Sequence, residues 1–118
     1  MSFELEKFGK IFIEEVRDGS IDFFKKTIDG RMQGMTSQRV RSILKEIDKE
    51  QMASVVCLIS EVVDQSIHNM LELVEEHPEV ALLFNGVELR KISDGLSGEL
   101  YTDDGWVYKY SKYPYNGI

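Results

Sequence analysis

The chain has 118 residues, 14 basic against 21 acidic side chains, a net charge of −7 and 42% hydrophobic residues. That length and composition fit one ordinary globular domain, and the acidic balance excludes broad electrostatic affinity for nucleic acid or an anionic membrane. The longest apolar runs, 55–59 and 80–84, have five residues, far below the roughly 20 that a membrane-spanning helix needs.

The first residues, Met1-Ser2-Phe3-Glu4, lack the basic and apolar regions of a secretory signal. A lone Cys57 excludes an intramolecular disulfide and a multi-cysteine zinc site. Both features predict a reducing, cytoplasmic setting. Within Val55-Val56-Cys57-Leu58-Ile59 the thiol reads as a small packing residue, since the nearby Glu61 would raise its pKa rather than activate it.

In chain order, Ser2 caps a predicted first helix ending near Asp18, with Leu5, Phe8, Ile11, Phe12 and Val16 as its inward stripe. Asp18-Gly19 stops it, and Ser20 starts a second helix carrying Phe23, Phe24 and Ile28. The segment 30–35, with two glycines and two methionines, is a loop. Thr36 or Ser37 then opens a third helix with Val40, Ile43, Leu44 and Ile47 inward.

Asp48, followed three residues later by Gln51, forms a capping box for a fourth helix over 49–77, which the His77-Pro78 step ends. Its apolar stripe runs from Met52 to Val74. At 1.5 Å per residue the helix is about 43 Å long, against a diameter of roughly 35 Å for a compact domain of this size. It must therefore span the domain, bend or project, and a homodimer sharing its stripe is one consequence.

After Pro78 the period shortens to two. Residues 80–90 around Asn85-Gly86 predict one hairpin, and 98–110 around Asp103-Asp104-Gly105 a second, with Trp106, Tyr108 and Tyr110 on one face. The expected fold class is α+β: about four N-terminal helices, one long, followed by a small antiparallel sheet of two hairpins. Residues 1–78 form the helical layer of a single domain over 1–118, 79–113 the hairpin layer and 114–118 a surface tail.

Candidate sites follow from residue type. Glu61, Asp64, His68 and Glu72 have metal-like spacing, but one helix supplies too few converging ligands, so they read as a solvated face and no metal or other cofactor is expected. Residues 60–79 hold six carboxylates, Glu72, Glu75 and Glu76 among them, with no lysine or arginine. Acids crowded toward a helix C-terminus oppose its dipole. They point either to a basic protein partner or to internal pairing with the Arg41, Lys45, Lys49 row. That row, with Arg39, is too interrupted by acids for a nucleic-acid helix.

His77 beside Glu76 reads as a solvated helix-end cation. No phosphate loop, nucleophile elbow or zinc-protease motif occurs, and catalysis by Asp94, Glu99, Asp103 or Asp104 has no spacing signature. Trp106, Tyr108, Tyr110 and Asp104 form the expected partner-binding block, because tryptophan and tyrosine supply large contact area. The block Asp94-Gly95-Leu96, Gly98-Glu99-Leu100, Asp104-Gly105-Trp106 and Tyr110-Ser111-Lys112-Tyr113 resembles small bacterial proteins without an assigned function. Immunity partners of toxins are the analogy that this likeness offers.

The expectation is a small acidic, non-enzymatic protein–protein interaction module. The alternative is a ligand-binding protein or enzyme with a pocket between helices and sheet.

Overall fold

A computed structural model describes residues 3–113. The predicted tail 114–118 and the Ser2 cap lie outside the described residues. The chain runs α1 (Phe3–Phe12), a π-turn (Ile13–Asp18), α2 (Gly19–Ile28), α3 (Met35–Leu44), α4 (Lys49–Glu76), β1 (Leu83–Phe84), β2 (Val87–Glu88), α5 (Leu89–Ile92), a 3₁₀ turn (Ser97–Glu99) and α6 (Trp106–Tyr110). It is mostly helical, with one small antiparallel pair of strands. Among the described residues no helix is long and apolar enough to cross a membrane.

The expected break at Asp18-Gly19 is absent. Gly19 keeps helical angles (φ −59°, ψ −41°), and α1, the π-turn and α2 form one rod. The π-turn resets the inward face by one residue. Phe12 to Arg17 and Ile13 to Asp18 are spaced by five, the π repeat, and all four are buried. Val16, expected inward, is therefore exposed, as is Ile11.

Asp48 caps α4 as its sequence predicts, accepting the Gln51 N–H at 3.0 Å, and His77 leaves the helix in extended geometry before Pro78. The buried face of α4 is Ser60, Asp64, Ile67, Leu71 and Val74, so no α4 residue before Ser60 is buried. Val62, expected on the inward stripe, is 64% exposed.

The Asn85-Gly86 hairpin is present, with φ of +51° and +79° at the two turn residues and the register Leu83↔Glu88, Phe84↔Val87. Each strand has two residues, and the chain turns into α5 at Leu89. The second hairpin does not form. In its place stand the 3₁₀ turn and α6, in which Trp106 and Val107 are buried, Tyr110 is half-buried and Tyr108 is exposed. Five residues reading Trp-Val-Tyr-Lys-Tyr satisfy both periods, and packing selects the helix.

The core lies at one end. Leu5, Phe12 and Ile13 meet Ile67, Leu71 and Val74 of α4, and Leu89, Leu96, Leu100, Trp106 and Val107 close over them. Gly9 makes room for the Trp106 ring, because a Cβ there would sit 2.4 Å from it. Away from this end, α2, α3 and the first half of α4 form a thinner arm. Its buried residues include Ile21, Thr27, Ser37 and Ser60, with Thr27 and Ser37 hydroxyls 3.0 Å apart. The molecule is correspondingly elongated, 47 × 29 × 22 Å, with a radius of gyration of 16.2 Å against about 13–14 Å for a compact chain of this length.

Candidate functional site

Three features gather the polar and exposed apolar residues, and each depends on how α4 is positioned. The first is a buried polar junction at the π-turn. Arg17 is wholly buried; its Nε donates to Asp64 Oδ1 at 2.6 Å and its Nη2 to Asp64 Oδ2 at 3.3 Å. Its Nη1 donates to Ser111 Oγ at 2.8 Å and to the Tyr113 carbonyl at 2.7 Å. Asp18 accepts the Ser111 hydroxyl at 2.6 Å and the Lys112 N–H at 2.9 Å. Asp22 takes the Tyr113 hydroxyl and the Lys112 ammonium. Burial pushes the Asp22 carboxyl up, but these two partners outweigh it and hold the group below its ordinary value.

Desolvating charges is costly unless they are paired and their remaining hydrogen-bonding groups satisfied, and here they are. Among the described residues no buried side-chain polar atom lacks a partner. The junction therefore fastens residues 111–113 to the helical rod. It leaves no free nucleophile or base.

The second feature is a hollow of about 160 Å³ lined by Glu61, Asp64, Gln65, His68 and Tyr101. It brings together three of the four residues with metal-like spacing. Asp64, expected on a solvated face, is instead 5% exposed and committed to Arg17. His68 Nε2 lies 3.2 Å from Glu72 Oε2, while the Tyr101 hydroxyl donates to the Asp64 carbonyl at 2.6 Å. Among the described residues no three His, Cys, Asp or Glu side chains are grouped to hold a metal ion. The volume is below the roughly 300 Å³ at which small-molecule sites begin.

The third feature is apolar. Phe24 of α2 and Val55, Leu58, Ile59, Val62 and Val63 of α4 line a groove of about 260 Å³ on the arm. Leu58 and Val62 are each 64% exposed, and the exposed Cys57 lies beside Leu58 in an adjoining depression. The reading of Cys57 as a packing residue is corrected accordingly: α4 turns it outward where α3 and α2 leave the helix uncovered.

The expected aromatic block is distributed differently. Trp106 is fully buried against Gly9 and Phe8, with its Nε1 3.4 Å from Glu6 Oε2. It offers no ring to a partner. The Tyr110 hydroxyl donates to Glu6 Oε1 at 2.6 Å, and the Lys109 ammonium pairs with the same carboxylate. Burial pushes Glu6 up, and the Lys109 and Tyr110 hydrogen bonds more than offset this, leaving the carboxyl below its ordinary value. Tyr108 and Asp104 are exposed.

Of the acidic set, Glu75 accepts the Ser97 N–H, Glu72 lies against His68, and Glu61 and Glu76 have no ion-pair partner among the described residues. Nor have Arg39, Lys45 and Lys49, while Arg41 donates to the Met32 carbonyl at 2.5 Å. The expected row on one helix is not present, since α3 ends at Leu44 and Lys49 opens α4, and among the described residues none of Arg41, Lys45 and Lys49 pairs with an α4 acid. Sequence reasoning missed Arg17, Asp18 and Asp22, whose one signal was a charged pair interrupting an apolar stripe.

Comparison with protein-family models, with curated proteins and with solved structures finds no match.

Proposed function

We propose that this chain is a small, acidic, non-enzymatic protein–protein interaction module whose contact surface is the outward face of the arm. The observation that carries the reading is the groove around Leu58 and Val62, where large aliphatic side chains on a regular helix stand in water beside Phe24. A contiguous exposed apolar surface costs solubility, and contact with another protein is its usual use. The polar junction supports the same reading, because its carboxylates and guanidinium are spent on holding the C-terminal segment. Residues 60–79, acidic and without a lysine or arginine, favour a partner surface bearing positive charge. A basic protein of the toxin-and-immunity kind is one partner with that chemistry.

The test places a photo-crosslinking side chain at position 58 and, as a control, at Lys91 on α5, in the cell that makes the protein. The expected outcome is one discrete cross-linked species from position 58, lost when Val62→Glu is added, and none from position 91. No cross-link from position 58 overturns the reading.

A further inference from the structure

We infer that Arg17, Asp18 and Asp22 form a recognition site for a short basic peptide, and that residues 111–113 are its resident ligand, a strap that leaves and returns while the core stays folded. This stands apart from the reading of the arm. Asp18, Asp22 and Lys25, spaced by four and three, share one face of the rod, and Arg17 stands beside them. Each of Ser111, Lys112 and Tyr113 is held by at least two of these four side chains.

Both main-chain and side-chain groups are read. Asp18 accepts the Lys112 N–H at 2.9 Å and Arg17 Nη1 donates to the Tyr113 carbonyl at 2.7 Å, which fixes the direction and register of the segment. The Ser111 hydroxyl donates to Asp18 at 2.6 Å and accepts from Arg17 Nη1 and from the Tyr113 N–H, each at 2.8 Å. One donor and two lone pairs are the full capacity of a hydroxyl, so alanine in that place leaves a guanidinium and a carboxylate short. Asp22 takes the Lys112 ammonium at 2.6 Å and the Tyr113 hydroxyl, while Lys25 Nζ stands 4.4 Å from the centre of the Tyr113 ring. The carboxylates of Asp18, Asp22 and Asp64 outnumber the cations Arg17 and Lys25. A site without its strap is therefore net negative and selects a cationic ligand, the part that Lys112 fills.

The strap belongs to the site and not to the core. The core and the hydrophobic residues packed on it include Trp106, Val107 and Tyr110 but none of 111–113. Helix α6 ends at Tyr110, and Ser111 is extended (φ −81°, ψ 141°). Each of the strap-to-rod hydrogen bonds named above uses a rod side chain, so no backbone ladder joins the two. Such bonds exchange for bonds to water at small net cost, and segments with few buried apolar contacts open locally. Arg17 is fixed from its other side by Asp64, which keeps the site preorganised when the strap lifts.

Hydrogen exchange on the wild-type chain reads the opening. After correction for intrinsic rates, the Lys112 and Tyr113 amides are expected to exchange at least about a hundredfold faster than those of Leu71 and Val107. Equal protection makes the segment part of the cooperative fold and overturns the inference. Binding is read by an NMR titration of the full chain carrying Ser111→Gly, Lys112→Gly and Tyr113→Gly with the end-blocked tripeptide Ser-Lys-Tyr. Amide shifts over 17–25 are expected to saturate at millimolar peptide, and wild type to need at least about tenfold more, because an attached strap competes at an effective concentration on the order of 1 mM. The same peptide with alanine for serine is expected to bind at least about tenfold more weakly, since it leaves buried polar groups unpaired. A triple variant that unfolds, that folds and ignores the peptide throughout the millimolar range, or that answers both peptides equally overturns the inference.

Discussion

Arg17 and Asp64 are 47 residues apart in the chain and joined by two hydrogen bonds, at 2.6 and 3.3 Å, with their side chains almost wholly out of water. The pair ties the π-turn to the middle of α4, where the arm begins, and the same guanidinium reaches on to Ser111 and Tyr113. Rod, long helix and C-terminal segment are thus held at one point. Among the described residues the arm beyond it has no buried ion pair.

Removing one partner of that pair leaves an uncompensated buried charge. Asp64→Leu alone is expected to cost about 3–5 kcal/mol, whereas Arg17→Met combined with Asp64→Leu costs clearly less than the sum of those two single changes. Urea unfolding of the four proteins gives the coupling. Strict additivity would show that the pair does not act as a unit.

Gly9→Ala is a favourable change by helix propensity alone, worth up to about 1 kcal/mol. Here the added methyl enters the Trp106 ring, 2.4 Å away, and overpacking of this kind costs about 1–3 kcal/mol. The variant should be less stable than wild type, and adding Trp106→Leu should recover part of the loss. A lowered thermal midpoint for Gly9→Ala checks the first half, and the double variant the second.

Trp106→Ala acts on folding, because the ring is wholly inside the core. A loss of about 3–5 kcal/mol is expected from truncating a buried aromatic. In native solution the tryptophan emission of the wild type is expected to be blue-shifted and to resist aqueous quenchers, and unfolding to abolish both properties. A fluorescence spectrum typical of water-exposed indole in the folded protein would contradict this placement.

The cluster of Glu6, Lys109 and Tyr110 ties α1 to α6 in a pH-dependent way. Burial alone would raise Glu6, but the hydrogen bonds from Lys109 and Tyr110 bring it below its ordinary 4.5, and Glu6 in turn raises Lys109 above its ordinary 10.5 against the effect of burial. A depressed carboxyl adds stability in full above its unfolded-state value and loses it as pH falls through the folded one. A raised ammonium adds it in full below its unfolded-state value and loses it as pH rises through the folded one. Burial and the hydrogen bond to Glu6 likewise raise the Tyr110 hydroxyl above its ordinary 10.0, so the contribution of the cluster is complete between pH 4.5 and 10.0 and declines outside those limits. Urea unfolding of wild type and Glu6→Gln should show a stability gap at pH 7 that narrows below pH 4.5.

The elements legible in the sequence are those whose signals are local. Asp48 before Gln51, and Pro78 after His77, bracket α4 within a residue, since a cap and a proline act on their own neighbours. Asn85-Gly86 marks its turn because those two residues accept positive φ. The stretch 106–110 reads as a strand of the second hairpin, because rings at 106, 108 and 110 alternate with Val107 and Lys109, yet five such residues equally suit about one and a half helical turns. The socket at Gly9, 97 residues before Trp106, favours the helix.

What the amino-acid order determined by itself is the helical first two-thirds, the length of α4, the acid surplus over 60–79 and the absence of recognisable catalytic motifs. Tertiary structure decided which face of α4 is covered, that the rod passes through Asp18-Gly19 without a break, and that Trp106 packs inside while Leu58 and Val62 remain outside. The physical reason is reach: capping, turn and propensity effects extend over a few residues. The π-turn, the Arg17–Asp64 pair and the bare groove arise from contacts between segments that only the folded chain brings together.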